Sequence, residues 1–149
     1  MRTLIQRVTE ASVSIDEKVF GSIEKGLVIL IGIESEDTEE DCNWLVHKIS
    51  KLRIFNDEDG NMNRSIKEAN GGFLVISQFT LHASIKKGNR PSYIKAAQPE
   101  KAIPLYQKFI TDLKATGSYV STGKFGADMK VSLTNDGPVT IWIDSKKRE

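Results

Sequence analysis

The sequence of 149 residues is poor in the side chains that many enzyme classes require, with one cysteine, Cys42, and two histidines, His47 and His82. A lone cysteine forms no internal disulfide, which is typical of proteins from a reducing compartment. No zinc-type Cys/His spacing, phosphate-binding loop, dinucleotide fingerprint or Gly-x-Ser-x-Gly elbow is present. Redox, phosphoryl-transfer and metal-hydrolase functions therefore lack their usual sequence support, and we expect neither a metal nor a cofactor.

Long apolar runs are missing as well. The longest candidate, residues 27–33, has the length of a strand and contains Gly32, whereas a membrane helix needs about 20 apolar residues. Residues 1–7 lack the apolar centre of a secretion signal. We therefore expect no membrane association and a cytoplasmic location.

The excess of positive charge is small, with a net charge of +1. Proteins that grip a long stretch of nucleic acid usually carry a strong basic excess. Any nucleic-acid partner is therefore expected to be contacted over a small area. Two local basic clusters, around Lys86, Lys87 and Arg90 and at residues 146–148, are interpreted either as solvated surface or as phosphate contacts.

The apolar pattern predicts seven strands and two helices. No repeat or linker interrupts the chain, which we expect to form a single domain over residues 1–149 with an α+β fold and a mainly antiparallel sheet. The continuous β-branched run at residues 26–33 predicts a strand buried on both faces. The other predicted strands cover residues 4–8, 12–15, 19–20, 73–76, 130–133 and 139–143.

Both predicted helices have recognisable ends. Thr38 followed by Asp41 indicates a capped start for the first helix, whose apolar stripe runs to Leu52. Pro99 suits the first turn of the second helix, and Gly117 is a plausible stop beyond its end. Pro104 has no N–H to donate, so we expect the second helix to kink there or to begin after Pro99.

The string Ser77-Gln78-Phe79-Thr80-Leu81 closes an apolar strand with polar groups. It can simply continue the strand with an alternating outer face. If so, Thr80 and His82 share a face and form a conceivable nucleophile–base dyad, although a histidine at a strand end is usually a surface residue, as we also expect for His47. Alternatively, the side chains of Ser77 and Gln78 with backbone N–H groups near Phe79 and Thr80 bind an ester and its developing oxyanion.

The string Asn135-Asp136-Gly137-Pro138-Val139-Thr140 is the second candidate. Gly-Pro most often forms a turn, here before the closing strand. Its functional interpretation requires a cis bond, which X-Pro adopts at a cost of only about 0.5–1 kcal/mol.

Taken in order, six such strings resemble the D-aminoacyl-tRNA deacylases, also called D-tyrosyl-tRNA deacylases, over nearly the whole length. The resemblance implies a β-rich barrel or sandwich with two helices. It further implies a cytoplasmic homodimer, with active sites at the interface, that hydrolyses D-aminoacyl-tRNA and mischarged glycyl-tRNA(Ala). The strings lie at residues 4–8, 53–63, 77–81, 87–93, 122–129 and 135–140.

The resemblance also implies roles for single residues. Gly137 and Pro138, joined by a cis bond, would enter the pocket of the partner subunit, and Arg7 would hold their loop. Two residues of the fifth string, Phe125 and Met129, would contact the terminal adenosine at the 3′ end of the aminoacyl-tRNA. The catalytic pocket itself would be formed by Ser77, Gln78, Phe79 and Thr80.

In that family, the terminal 2′-hydroxyl of the tRNA assists the reaction, so Thr80 would bind substrate without acting as a nucleophile. L-amino acids would be rejected by collision with Gly137 and Pro138. Two other hypotheses remain: a module that binds the tRNA end without catalysis, and a general esterase with a Thr80/His82 dyad.

Overall fold

The computed structural model describes residues 1–148. These contain eight strands, two α-helices and one short 3₁₀ turn. The order is β1 Arg2–Ile15, β2 Lys18–Ile23, β3 Gly26–Gly32, α1 Glu39–Ser50, β4 Phe55–Asn56, β5 Met62–Arg64, β6 Gly72–Ser77, the 3₁₀ turn Phe79–His82, α2 Pro99–Ala115, β7 Val120–Thr122 and β8 Lys130–Asp144.

Strand β1 is the centre of the sheet, and all its pairings are antiparallel. Strand β8 follows one edge of β1 from the Arg2–Asp144 pair to the Ser14–Lys130 pair. Strand β3 pairs with the first half of the other edge and β2 with the second half. The two strands predicted at residues 4–8 and 12–15 are therefore one, because a bulge at Thr9 shifts the register between them without ending the ladder.

The remaining strands pair in parallel, β3 with β6 and β6 with β7. Strand β7 returns to β2, where the Ser22 N–H donates to Ser121 Oγ over 3.1 Å. The result is a mixed, nearly closed barrel with two helices. The α+β class is thus confirmed, with two parallel pairings beside the expected antiparallel ones.

Two hydrophobic clusters pack on opposite faces of the sheet. The larger lies against the helices and includes Leu27, Ile29 and Phe109, whereas the smaller includes Val28 and Leu74. Because neighbouring residues of β3 belong to different clusters, the strand is buried on both faces, as its apolar run predicts.

The helices begin where the sequence indicates. At the start of α1, the Thr38 N–H donates to Asp41 Oδ2 over 2.9 Å, and Gly117 beyond α2 has a φ of +87°. Helix α2 begins at Pro99 and contains Pro104, so the alternative of a later start is wrong and the kink at Pro104 stays a prediction. The Pro104 ring lies on the exposed face of the helix, away from the core. No helix within residues 1–148 is long and apolar enough to cross a membrane.

Candidate functional site

An open cavity of about 320 Å³ lies where the parallel strands β3 and β6 end. Parallel strands end at the same edge of a sheet, so side chains that follow them meet there. The structure brings Ser77, Gln78 and Phe79 together with Phe125 and Met129 around this cavity. The rest of its lining is largely apolar and includes Ile31, Ile33, Ile76, Ala97, Ala102 and Val131.

Beyond Ser77 the chain leaves the sheet, so the interpretation of residues 77–81 as a continued strand is wrong. The Gln78 N–H still donates to the Ile31 carbonyl over 2.7 Å, but the Phe79–His82 turn follows at once. The Gln78 side-chain amide donates to Thr80 Oγ1 over 2.5 Å. The first N–H groups of a helical turn have no partner within it, and here they belong to Phe79 and Thr80.

His82 does not support a dyad with Thr80. The expectation that His82 is a surface residue is also wrong, since it is only 1% exposed. Its Nδ1 lies 4.0 Å from Glu34 Oε2, and neither ring nitrogen has a hydrogen-bond partner among the described residues. Burial lowers the pKa of His82, an effect that the nearby Gly32 carbonyl and Glu34 only partly offset. At neutral pH the ring is uncharged and does not engage Thr80.

The other two candidate nucleophiles or bases are also remote from this chemistry. His47 is exposed on α1, as predicted. Cys42 is buried on the same helix, and burial raises the pKa of its thiol to about 12. A protonated, buried thiol is a poor nucleophile. Within residues 1–148, no three His, Cys, Asp or Glu side chains are grouped as metal ligands.

Aromatic side chains form one rim of the cavity. Phe79 is 57% exposed, and its ring meets that of Tyr93 edge to face with 5.0 Å between centroids. Phe125 packs against Tyr106 at 5.6 Å, whose hydroxyl donates to the Val75 carbonyl over 3.1 Å. Tyr93 was not predicted as a site residue. The sequence signals for it were an aromatic residue in the polar stretch after His82 and its place at the end of the string at residues 87–93.

The Gly-Pro string forms a bulge in β8. Gln6 pairs with Thr140 and Val8 pairs with Asn135, so residues 136–139 lie opposite Arg7 alone. We call these four residues the 136–139 bulge. The predicted turn before a closing strand is therefore a bulge within one continuous strand. Gly137 and Pro138 lie on this bulge, and both are exposed.

The buried side chain of Arg7 binds the 136–139 bulge. It is 6% exposed, and its Nε donates to the Asp136 carbonyl over 2.8 Å. Its Nη1 donates to the Ile54 carbonyl over 2.6 Å and to Asn56 Oδ1 over 3.2 Å. One guanidinium therefore joins the bulge to the segment around β4, using the several donors that only arginine offers in one plane.

The bulge is also closed on itself. The Val139 N–H donates to Asn135 Oδ1 over 2.8 Å, and the Asn135 side-chain amide donates to the Val139 carbonyl over 3.1 Å. The bond between Gly137 and Pro138 is cis, as the family resemblance implies. Gly137 has a φ of +146°, and a Cβ there would lie 2.7 Å from Val139 Cγ2. The position requires glycine.

The predicted residues thus fall into two groups. Ser77, Gln78 and Phe79 share the cavity with the two adenosine candidates, and Thr80 is hydrogen-bonded beside them. The second group consists of Arg7, Gly137 and Pro138, none of which lines the cavity of its own chain. Their approach to the cavity of a partner subunit stays a prediction.

Comparison with known proteins finds relatives over nearly the whole chain. The D-Tyr-tRNA(Tyr) deacylase family matches residues 4–144. A D-aminoacyl-tRNA deacylase of Bacteroides fragilis is 63% identical over 150 residues, and one of Chromobacterium violaceum is 57% identical, both covering 100% of each chain. A solved c-Myc DNA unwinding element binding protein aligns with a TM-score of 0.90 at 39% identity, covering 97% of this chain and 98% of its own. A probable eukaryotic D-amino acid tRNA deacylase shares the fold, with a TM-score of 0.81 at 16% identity and coverage of 95% and 97%. The chain therefore belongs to the D-Tyr-tRNA(Tyr) deacylase family.

Proposed function

We propose that the protein hydrolyses the ester between a D-amino acid and the terminal adenosine of tRNA. The observation that carries the proposal is the meeting of Ser77, Gln78 and Phe79 with Phe125 and Met129 around one cavity, in a chain whose full-length relatives are named D-aminoacyl-tRNA deacylases. Water attacks the ester carbonyl, the bond to the ribose oxygen breaks, and that oxygen takes up a proton. The products are the free D-amino acid and tRNA.

Catalysis would rest on positioning and on stabilising the oxyanion. An aminoacyl ester is already activated, and aligned donors supply several kcal/mol in such reactions. The N–H groups of Phe79 and Thr80 are the candidate donors. His82 is buried, its ring nitrogens have no partner among the described residues, and it does not line the cavity, so it is not placed to act as the general base. We therefore assign assistance of the proton transfers to the terminal 2′-hydroxyl of the tRNA.

Handedness would be selected by exclusion across a homodimer interface. Gly137 and Pro138 of one subunit would enter the cavity of the other, where an L side chain collides with them and a D side chain points to solvent. The exposure of both residues on the hydrogen-bonded 136–139 bulge supports this arrangement. Glycine has no side chain to exclude, so mischarged glycyl-tRNA(Ala) would be a second substrate.

The remaining assignments concern the nucleotide and the compartment. Phe125 and Met129 line the cavity beside Phe79 and would contact the terminal adenine. The lone cysteine is a free thiol, which suits the cytoplasm, where aminoacyl-tRNA is made.

The sharpest test of the proposed function is a substrate without the assisting group. D-Tyr-tRNA that ends in 2′-deoxyadenosine should be hydrolysed about 100-fold more slowly than normal D-Tyr-tRNA, because this substrate lacks the 2′-hydroxyl to which we assign the proton transfer. Single-turnover release of labelled D-tyrosine measures both rates, and L-Tyr-tRNA is the control that should survive.

The competing hypotheses predict other patterns in the same assay. A general esterase hydrolyses the deoxy substrate and simple esters equally well. A module that only binds the tRNA end binds both substrates and releases no amino acid from either. Hydrolysis of L-Tyr-tRNA with survival of D-Tyr-tRNA would refute the exclusion of L side chains.

Replacement of Thr80 tests covalent catalysis. We expect Thr80→Ala to retain single-turnover deacylation within about tenfold of the wild type, since the substitution removes one hydrogen bond from Gln78 worth about 1 kcal/mol. Thr111→Ala, at an exposed position of α2, is the control. Near-complete loss of hydrolysis with unchanged tRNA affinity would indicate instead that Thr80 is a nucleophile.

A further inference from the structure

The segment of residues 83–98, which we call the cationic segment, differs in charge from the rest of the chain. It contains Lys86, Lys87, Arg90 and Lys95 and no acidic residue. Because the whole protein has a net charge of only +1, the remaining residues together are net negative. The cationic segment is therefore a local concentration of positive charge, which attracts a polyanion.

The other basic cluster, at residues 146–148, is a weaker candidate for this role, since two of its three charges have partners within the protein. Lys146 Nζ donates to Asp41 Oδ2 over 2.7 Å. The Arg148 guanidinium lies 5.0 Å from the centre of the Trp44 ring. In contrast, no salt bridge among the described residues involves a cation of the cationic segment.

The backbone holds the cationic segment beside the cavity. At its far end, the Ala97 N–H donates to the Ile33 carbonyl over 2.9 Å. Nearer its start, Ser84 and Ser92 exchange two backbone hydrogen bonds of 2.8 and 2.9 Å, which close a loop over residues 85–91. Every residue from 83 to 95 is exposed, so Lys86, Lys87 and Arg90 project from a tethered loop.

Aromatic rings connect the cationic segment to the cavity. Tyr93 belongs to the cationic segment and contacts Phe79, which lines the cavity. The neighbouring Ile94 is 90% exposed. Exposed rings beside unpaired cations are the combination that binds single-stranded nucleic acid, since bases stack on the rings and phosphates meet the charges.

We infer that the cationic segment binds the single-stranded 3′ end of the tRNA, the nucleotides that precede the esterified adenosine. The inference rests on the proposed function, which places the esterified adenosine in the cavity. Lys86, Lys87 and Arg90 contact the phosphates, and the face of Tyr93 carries a base. A short single strand matches both the small extent of the patch and its rings, whereas a duplex buries its bases.

The salt dependence of binding tests the phosphate contacts. The variant Lys86→Gln/Lys87→Gln/Arg90→Gln is compared with Lys51→Gln/Lys67→Gln/Lys114→Gln, which loses the same charge at exposed positions elsewhere. Each protein is titrated with an acceptor-stem minihelix that carries no amino acid and retains the 3′ single strand. The same titration is made with a blunt-ended minihelix that lacks this single strand. For the minihelix with the 3′ single strand, the slope of log Kd against log salt should fall by about 2 in the first variant and stay unchanged in the control.

The outcomes against the inference are equally distinct. A wild-type salt slope in the first variant excludes phosphate contacts from the cationic segment. If the triple variant loses as much affinity for the blunt minihelix, the segment binds the duplex. If the control variant loses as much affinity as the triple variant, the effect comes from the overall charge of the protein. Tight binding of a polyglutamate peptide with no preference for the 3′ single strand would assign it to acidic protein partners.

Substitution of Tyr93 tests stacking separately from charge. Tyr93→Ala should weaken binding of the minihelix with the 3′ single strand by about tenfold or more, and Tyr93→Phe should restore it because the ring remains. Equal affinity of Tyr93→Ala and the wild type would overturn the stacking contact. Circular dichroism of each variant verifies that the fold is retained.

A minimal substrate separates this inference from the proposed function. D-Tyr-adenosine has the ester and the 2′-hydroxyl but no preceding nucleotides, so the triple variant should hydrolyse it at the wild-type rate while it hydrolyses D-Tyr-tRNA more slowly. If the wild type hydrolyses neither substrate, the proposed function fails, and the minihelix titrations still decide the role of the cationic segment.

Discussion

Gly137→Ala is expected to reduce deacylation of D-Tyr-tRNA by about 100-fold or more. The new methyl group would lie 2.7 Å from Val139 Cγ2 and 2.9 Å from the Val139 nitrogen, at a φ of +146° that side chains rarely adopt. The backbone must therefore move, which breaks the paired hydrogen bonds between Asn135 and Val139. Left-handed backbone and overpacking each cost about 1–3 kcal/mol. Single-turnover rates and urea unfolding measure the two effects.

Gly60→Ala is the matched control for Gly137→Ala. Gly60 also has a positive φ, +81°, but no atom lies within 4 Å of the position of an added Cβ. The control therefore carries the backbone penalty without the collision, and it should retain activity with a loss of about 1 kcal/mol in unfolding free energy. A Gly137→Ala protein that hydrolyses D-Tyr-tRNA normally and still spares L-Tyr-tRNA would contradict the role assigned to the bulge.

Arg7→Met is expected to lower the free energy of unfolding by about 3–5 kcal/mol and to abolish most of the activity. The substitution leaves the Ile54 and Asp136 carbonyls without their charged donor, and each acceptor left unsatisfied costs about 1–3 kcal/mol. The 136–139 bulge would then lose its attachment to the segment around β4. Urea unfolding monitored by tryptophan fluorescence gives the stability, and single-turnover assays give the activity.

Two further substitutions separate charge from geometry at position 7. Arg7→Lys keeps the charge, but an ammonium group at the end of a flexible stem does not reproduce the planar fork, so we expect an intermediate loss. Arg53→Met removes an arginine from an exposed position and should cost less than about 1 kcal/mol. Full activity of Arg7→Met would show that the bulge holds its shape unaided.

Local signals in the sequence predict local structure well here. The β-branched run gave β3, the Thr38–Asp41 pair marked the start of α1, and Gly117 marked the end of α2. The parallel pairing of β3 with β6 was not predictable, because strand direction depends on contacts between residues far apart in sequence. The bulge at Thr9 was also missed, since exposed Thr9 and Glu10 resemble the end of a strand.

At the site, the motif residues were identifiable but their environment was not. Alternation in residues 77–81 fits a strand as well as the observed turn, so the pattern gave no reason to separate Thr80 from His82. Burial of His82 depends on Glu34 and Gly32, which precede it by about fifty positions. The meeting of Phe125 with Phe79 likewise required the whole sheet, although the family resemblance placed both in one site.

The central place of β1 bears on how sharply the bulge can discriminate. Strand β1 has partner strands on both sides over most of its length, so Arg7, which pairs with Leu27 of β3, is anchored in the part of the molecule least able to fray. Selection by shape requires that the excluding surface keep its position when a substrate presses against it. In the proposed arrangement, Gly137 and Pro138 would be held through Arg7 by the central strand of the barrel, so that they would resist displacement by an L side chain.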